Sequence, residues 1–358
     1  MDRNSKDVPR RAVIAAGASA LAAALGAACA PRRGPGRGPL RAGLEPELRI
    51  YNWSDYVAPD TVARFEAATG VRVIYDTYES NEEVLAKLQA GAAGYDVIVP
   101  SGYLLPVLVA EGLVQPLDHA RLPGLGAIAE PFRRTPFDPG LLHGVPYQWG
   151  MTGLAYRADK VPAPTSWAVY ADRALDGTTT MLDDGREVLG AMLKWRGRSY
   201  NSTDPAELAS ARDDAIAAKR QVRAYLSAAV KGQLISGDVW VAQLWNGDAR
   251  QAAMEEPAVR FAVPSEGSLV WTDFLAIPRT APHPRAAHAF LEFVLGADVG
   301  AAIADHTGYG SPNLAALRRQ RRPVPLPGPA ELARLEYQHD LGAASALWDR
   351  LWTEVKAA

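Results

Sequence analysis

The fold is decided by the stretch Leu48-Arg49-Ile50-Tyr51-Asn52-Trp53-Ser54-Asp55-Tyr56. Residues 48–51 predict a short β-strand because they are rich in strand-forming side chains. A helix is predicted for residues 61–67, which lie between Pro59 and Gly70, and a second strand for residues 71–75. The predicted turn after the first strand carries two aromatic rings and a carboxylate. Open α/β sheets bind ligands at such a strand-to-helix edge.

The same order of elements repeats along the chain. A capping box at residues 80–83 predicts a helix over residues 82–90, and residues 95–100 predict a third strand. Three successive β-α units predict a parallel sheet with right-handed crossovers. Residues 144–156 are extended and rich in glycine, which is typical of a chain crossing between domains. Later elements are predicted as strands over 178–182, 238–244 and 268–277, and as helices over 188–195, 206–224, 286–295 and 345–355.

The length and the N-terminal residues suggest an exported protein of two domains. A chain of 358 residues exceeds one small core, and its 48% apolar and 22% charged residues are typical of a soluble globular protein. Residues 1–28 predict an export signal, because the apolar run over residues 12–28 is shorter than the ~20 residues of a membrane helix. Arg10 and Arg11 indicate the twin-arginine route, although Pro9 departs from that motif.

Cys29 is the only cysteine, so the fold contains no internal disulfide. Residues 26–29, Gly-Ala-Ala-Cys, are similar to a bacterial lipobox, in which the cysteine becomes the lipidated first residue. The leucine usual at the first position is missing, and a soluble exported protein cleaved nearby is the alternative. Residues 29–43 are rich in Pro, Gly and Arg and predict a flexible linker.

The charge is unevenly distributed. The whole chain carries −2, and residues 1–43 carry +6, so residues 44–358 carry −8. An acidic body attracts cations and disfavours nucleic acid, which predicts that nucleic acid is not a partner.

The motifs of common enzymes do not stand out in the sequence. Residues 124–129 match the letters of a dinucleotide fingerprint but follow a predicted loop rather than a strand. The six histidines are scattered, and no nucleophile elbow or phosphate-binding loop is present. The sequence therefore predicts no metal, no cofactor and no enzymatic activity. A hydrolase or transferase that uses Asp184 and Glu187 is the enzymatic alternative.

An aromatic ring and a carboxylate recur together at predicted strand ends. Carboxylates pair with ammonium groups, and ring faces attract cations by ~0.5–2 kcal/mol. Rings also cover methylene groups, at roughly 0.8 kcal/mol for each CH₂ removed from water. The alternative for each site is a tryptophan in the core beside a solvated acid. The repetition favours a site for an organic cation with an apolar stem, and it involves the pairs Trp53 and Asp55, Trp245 and Asp248, and Trp271 and Asp273.

Five motifs carry a family resemblance: residues 51–56 (YNWSDY), 78–82 (YESNE), 95–101 (YDVIVPS), 245–247 (WNG) and 308–315 (GYGSPNLA). They resemble the periplasmic spermidine/putrescine-binding proteins of bacterial polyamine ABC transporters. The resemblance begins near residue 49 and weakens between residues 317 and 336, which are rich in Arg and Pro. It implies the α/β fold of a type II periplasmic binding protein. Each of its two lobes has a mostly parallel sheet flanked by helices, and two chain crossings join the lobes.

The resemblance also implies a domain division and a function. The N-terminal lobe would comprise residues 44–150 and 272–317, and the C-terminal lobe residues 151–271 and 318–358. A monomer would capture a polyamine between the lobes and deliver it to an ABC permease. It would act in the periplasm or cell envelope and touch the membrane only through the lipid on Cys29. Another organic cation is the alternative ligand.

The residues that match the family's ligand contacts fall into three groups. The rings are Trp53, Tyr56, Tyr103, Trp245, Trp271 and Tyr309. The acids are Asp55, Asp184, Glu187 and Asp273, and the polar helpers are Ser54, Ser101, Ser227 and Gln338. The resemblance also implies that an acid at the position of Asp248 belongs to the putrescine-specific branch, which leaves the choice of polyamine open. With Asp248, the predicted cleft has five acids, and this charge favours spermidine over putrescine.

Overall fold

A computed structural model describes residues 37–91, 94–227, 229–325 and 327–358. The predicted export signal, Cys29 and the first half of the predicted linker lie outside the described residues. The strands are β1 (Glu47–Trp53), β2 (Arg72–Tyr78), β3 (Val97–Ile98), β4 (Gly144–Arg157), β5 (Thr179–Met181), β6 (Val222–Tyr225), β7 (Val241–Trp245), β8 (Val259–Ala262), β9 (Ser268–Ala276) and β10 (Leu335–Glu336). The α-helices are α1 (Thr61–Thr69), α2 (Asn81–Gln89), α3 (Leu105–Ala110), α4 (Glu130–Arg133), α5 (Gly185–Trp195), α6 (Pro205–Ala218), α7 (Val230–Ser236), α8 (Asn246–Glu255), α9 (Pro284–Leu295), α10 (Ala297–Thr307), α11 (Leu314–Leu317), α12 (Pro329–Leu332) and α13 (Ser345–Ala357).

Strand β1 lies between β2 and β3 and is parallel to both. Ile50 is opposite Tyr75 on one side and Val97 on the other, and its side chain is fully buried. Because the three strands run in one direction, their carboxyl ends lie at the same edge of the sheet. The predicted parallel β-α arrangement is therefore confirmed for the first part of the chain.

Strands β4 and β9 connect the two parts of the sheet. They pair antiparallel over most of their length, with Val145 opposite Leu275 and Met151 opposite Val270. Further along, β4 pairs antiparallel with β7, and β5 is parallel to both β6 and β7. The strand order is β2-β1-β3-β9-β4-β7-β5-β6, so the crossing predicted for residues 144–156 is a strand within the sheet.

The apolar side chains gather in separate core clusters. We define the first core cluster as the buried apolar residues from 48–147 and 274–309, with Ile50 and Phe290 among its large members. The second core cluster is formed by buried apolar residues from 154–241 and 348–355. A third, smaller cluster is formed by buried apolar residues from 155–259.

The structure corrects the long helix predicted for residues 206–224. Helix α6 ends at Ala218, and residues 222–225 form strand β6. The alanine-rich composition favours a helix throughout, but Val222 pairs with Thr179 of β5. Sheet pairing therefore overrides the local helix propensity at this point.

Among the residues that the structure describes, no single helix is long and apolar enough to cross a membrane. Helices α9 and α10 meet that requirement only when they are taken together, and the chain bends by 74° between them.

Candidate functional site

A cavity of about 780 Å³, a volume that includes its opening to solvent, lies beside the ends of β1 and β7 and the middle of β9. Most of the predicted site residues line this cavity. They are Trp53, Ser54, Tyr56, Ser101, Tyr103, Asp184, Glu187, Trp245, Asp248, Trp271, Asp273, Tyr309 and Gln338. Four lining residues were not predicted: Glu79, Asn81, Leu269 and Val270. Asn81 accepts a hydrogen bond from the backbone N–H of Ser101 at 3.0 Å and so positions the end of β3.

Aromatic rings form one wall of the cavity. The ring centroid of Tyr309 lies 5.4 Å from that of Tyr56 and 5.1 Å from that of Trp271, and both contacts are edge-to-face. At the end of β1, the indole N–H of Trp53 donates to the carbonyl of Val99 at 2.9 Å, which fixes the orientation of the ring. Such a wall can cover methylene groups and attract a cation to the ring faces.

Asp273 lies in β9 and is buried beside the aromatic wall. The hydroxyl of Tyr56 donates to Asp273 Oδ2 at 2.7 Å. Burial raises the pKa of Asp273 to about 6, while the hydroxyls of Tyr56 and Ser101 act in the opposite direction. The second carboxylate oxygen, Oδ1, is buried and has no hydrogen-bond partner among the described residues. It is therefore available to a donor inside the cavity.

Asp184 and Glu187 lie at the N-terminus of helix α5. Asp184 caps the helix and accepts from the backbone N–H groups of Arg186 at 2.7 Å and Glu187 at 3.1 Å. Glu187 Oε1 accepts from the Thr152 hydroxyl at 2.8 Å and from the Trp245 indole at 3.4 Å. Burial, together with the nearby Asp184 carboxylate, raises the pKa of Glu187 to about 8.

Glu187 resembles Asp273 in having one unsatisfied oxygen. Its Oε2 is buried and has no hydrogen-bond partner among the described residues. Two buried carboxyl groups thus each have an oxygen without a hydrogen-bond partner among the described residues. An unsatisfied buried acceptor costs roughly 1–3 kcal/mol, so both oxygens favour the arrival of a donor.

Lys231 is the main site residue that the sequence does not indicate. Its ammonium group lies 2.9 Å from Asp55 Oδ2 and 3.3 Å from Asp248 Oδ1. Asp248 is buried, which raises its pKa, and the charge of Lys231 partly offsets this effect. No local pattern indicates the role of Lys231, because its partner Asp55 lies 176 positions away in the chain.

The structure does not place Asp55 or Ser227 in the lining of the cavity. Asp55 has a φ of 52°, in the left-handed region that Asp tolerates better than most residues, and its side chain is 63% exposed. In this structure its carboxylate forms an ion pair with Lys231. Ser227 lies in the bend between β6 and α7.

Tyr103 lies in a second charged region, which also contains Glu82 and Arg186. Its hydroxyl donates to Glu82 Oε1 at 3.3 Å, and the guanidinium carbon of Arg186 lies 5.8 Å from its ring. Arg186 also lies 5.0 Å from the ring of Trp348. Burial raises the pKa of Glu82 and lowers that of Arg186.

The comparison with known families decides the class of this protein. Residues 60–321 match the family of bacterial extracellular solute-binding proteins. The chain belongs to this family.

Relatives of this solute-binding protein are named for polyamines. It is 34% identical over 318 residues to the spermidine/putrescine-binding periplasmic protein of Escherichia coli (strain K12), with 87% of this chain and 91% of the relative covered. It is 35% identical over 296 residues to the putrescine-binding periplasmic protein PotF of the same strain, with 77% and 80% covered. It is 33% identical over 330 residues to the putrescine/cadaverine-binding protein of Pseudomonas aeruginosa, with 87% and 93% covered.

Solved structures agree with this assignment. The solute-binding protein is similar to the TpPotD lipoprotein of Treponema pallidum, with a TM-score of 0.78, 30% identity, and coverage of 86% of this chain and 99% of that chain. It is also similar to the spermidine/putrescine ABC transporter substrate-binding protein PotD of Streptococcus pneumoniae, with a TM-score of 0.71, 30% identity, and coverage of 87% and 99%.

These similarities confirm three predictions for the solute-binding protein. The resemblance to spermidine/putrescine-binding proteins is confirmed, and so is the α/β fold of a periplasmic binding protein. The relatives are substrate-binding proteins rather than enzymes, which confirms the non-enzymatic class. Members of such a family act outside the cytoplasm. Within the described part of the chain, no group of three or more His, Cys, Asp or Glu side chains is placed to hold a metal ion.

Proposed function

We propose that this protein captures a polyamine in the cavity and delivers it to an ABC permease, and that it binds spermidine more tightly than putrescine. The observation that supports this most is the pairing of two unsatisfied carboxylate oxygens, on Asp273 and Glu187, with an aromatic wall. An ammonium group supplies the donors that both oxygens need. The methylene stem between ammonium groups gains ~0.8 kcal/mol for each CH₂ that the rings remove from water.

The preference for spermidine rests on the number of unpaired acids. Within the described residues, no Lys or Arg forms an ion pair with the cavity acids Asp184, Glu187 or Asp273, whereas Asp248 and Asp55 share Lys231. The charge of Arg186 acts on Asp184 and Glu187 through space and lowers their pKa values, but burial outweighs it. Of the five acids predicted from the sequence, three thus lack a basic partner in an ion pair. Glu79 also lines the cavity, but it is exposed and accepts from the Ser54 hydroxyl, so it is not a buried charge. Spermidine carries three positive charges near neutral pH and putrescine two. A buried charge without its partner costs ~2–5 kcal/mol, which favours the more highly charged amine.

Isothermal titration calorimetry with putrescine, spermidine and spermine tests this proposal. We expect spermidine to bind more tightly than putrescine, and Asp184→Asn to narrow the difference by weakening spermidine more. Asp176→Asn, which changes an exposed acid, serves as the matched control. Tighter binding of putrescine by the wild type would assign the specificity to Asp248, and no binding of any polyamine would refute the function. Mass spectrometry of the ligand that co-purifies gives an independent answer.

We propose the two lobes from the distribution of the core. All buried members of the first core cluster come from residues 44–150 and 272–317. Those of the second and third clusters come from residues 151–271 and 318–358. This supports the division drawn from the sequence, with β4 and β9 passing between the lobes. Small changes of backbone conformation in β4 and β9 would move the side of the cavity that contains Asp273 relative to the side that contains Glu187.

We also propose that residues 1–28 direct export by the twin-arginine route, that Cys29 is lipidated and that residues 29–43 tether a monomeric body to the membrane. The lipobox-like residues before Cys29 support this. Incorporation of labelled palmitate into the wild type but not into Cys29→Ser would agree with the proposal. A soluble, unlabelled wild-type protein would instead support cleavage nearby without lipidation.

A further inference from the structure

The ammonium group of Lys231 is surrounded by three oxygens from two parts of the chain, the residues that follow β1 and helix α8. It donates to Asp55 Oδ2 at 2.9 Å and to Gln251 Oε1 at 3.0 Å, and it lies 3.3 Å from Asp248 Oδ1. A lysine ammonium has three N–H donors; two of them form the hydrogen bonds to Asp55 and Gln251, and Asp248 adds an ion pair. Only 14% of the side chain is exposed. The coordination is therefore that of a mostly buried, satisfied ammonium group.

The oxygens around Lys231 are held in place by other contacts. The amide N–H₂ of Gln251 donates to the carbonyl of Thr307 at 2.9 Å, which turns its Oε1 towards Lys231. Asp248 is 6% exposed and lines the cavity. Asp55 extends from the end of β1, and Lys231 lies in α7. The chain thus places an ammonium group of its own on an acid of the cavity, where a ligand ammonium would otherwise bind.

We propose that Lys231 determines specificity by occupying the carboxylates that a fourth ligand charge would need, so that the cavity accepts a triamine and disfavours a tetraamine. This inference rests on the proposed polyamine-binding function and concerns which members of that class are accepted. It assigns Lys231 a role in selection rather than in general affinity.

The physical reason is competition between two cations for one set of oxygens. A tetraamine such as spermine would bring its last ammonium group to Asp248, where it would meet the charge of Lys231. Either the two like charges lie together, or Lys231 leaves and loses its three oxygen partners. Both routes reduce the binding free energy of the tetraamine. A triamine that uses Asp184, Glu187 and Asp273 avoids this loss.

Calorimetry with spermidine and spermine on charge variants tests the inference. Lys231→Met keeps most of the apolar stem and removes the charge. We expect it to shift the ratio of the two dissociation constants by roughly tenfold or more towards spermine, because Asp55 and Asp248 then lack a cation. Lys160→Met, at an exposed position, changes the net charge equally and should leave the ratio unchanged. Lys231→Met combined with Asp248→Asn should lose most of the shift.

The outcomes separate this inference from the proposed function. An unchanged ratio in a folded Lys231→Met protein that still binds spermidine would overturn the inference and leave the function intact. If the wild type binds no polyamine, both fall. The wild type also provides a test that needs no variant: it should bind spermidine more tightly than spermine, and equal or tighter binding of spermine would overturn the inference even if Lys231→Met fails to fold.

Discussion

The hydroxyl of Tyr56 donates a hydrogen bond to Asp273, which lies 217 positions later in the chain, at a distance of 2.7 Å. Both side chains are buried. The backbone carbonyl of Tyr56 in turn accepts from the Tyr147 hydroxyl and the Gln148 amide, which fixes the backbone of Tyr56 just after β1. Tyr56 therefore stabilises the ionised form of an acid that burial would otherwise keep neutral.

Tyr56→Phe should weaken polyamine binding. Loss of the hydroxyl raises the pKa of Asp273 further above about 6, so less of the acid is ionised at pH 6.5 when the ligand arrives. We expect a loss of ~1.5–3 kcal/mol at pH 6.5, the usual size for a hydrogen bond to a charged group, and a smaller loss at pH 8. Calorimetry at both pH values measures this. Tyr95→Phe is the control, because it removes a hydroxyl that donates to the exposed Asp76. Equal losses of binding free energy in the two variants would contradict the argument.

Spermidine binding should release protons at neutral pH. The pKa of Glu187 is about 8, so most of this carboxyl is protonated at pH 7, and an ammonium group beside it favours the ionised form. Binding heats should therefore depend on the ionisation enthalpy of the buffer at pH 7, and affinity should fall as the pH is lowered below 8. Glu187→Gln should reduce the buffer dependence. Heats that are the same in phosphate and Tris would show that Glu187 is already ionised.

The ligand-free protein should lose stability as the pH rises through the same range. Between the ordinary glutamate pKa of 4.5 and the folded value of about 8, the folded protein retains a proton that the unfolded chain has released. The contribution of Glu187 is therefore present below pH 4.5 and is lost as the pH approaches 8. Urea unfolding at pH 5, 6.5 and 8 measures the trend, which Glu187→Gln should flatten. Glu255→Gln, at an exposed position, should retain the wild-type trend.

Trp271→Ala should weaken spermidine binding by ~2–4 kcal/mol if the ring contributes both apolar cover and a cation–π contact. Trp271 lines the cavity and contacts Tyr309 edge-to-face. Trp240→Ala is a suitable comparison because Trp240 is half-buried and outside the cavity lining. Normal binding by Trp271→Ala, together with a large fall in melting temperature, would show instead that the ring serves the core.

Ligand binding should make the protein more compact. Asp273 lies on the side of the first core cluster, and Asp184 and Glu187 lie at the helix that packs into the second. Without a ligand, bringing these acids together crowds like charges or forces them to keep their protons, whereas a polycation interacts best with the closed form. Small-angle X-ray scattering should show a smaller radius of gyration with spermidine. A radius that does not change would argue against closure, and magnesium chloride controls for ionic strength.

Local sequence patterns predicted most of the framework. Strand β1 and helices α1 and α2 were predicted from strand propensity, capping residues and glycine breaks, since these signals act between residues close in the chain. The rings and acids at strand ends also needed only local information. Parallel strand ends do not explain how they meet, because β9 is antiparallel to β3 and β4, and β7 is antiparallel to β4. The tertiary structure therefore brings Trp53, Trp245 and Asp273 together to line one cavity.

The tertiary structure alone decided which acids are available. The sequence counts Asp55 and Asp248 with the other acids, but Lys231 pairs with both, and no local pattern joins residues that are 176 positions apart. The protonation of Glu187 likewise depends on its burial and on the nearby Asp184, neither of which can be read from composition. Hydrophobic periodicity and capping are short-range and therefore visible in the sequence. Desolvation and ion pairing act through space, so only the folded chain determines them.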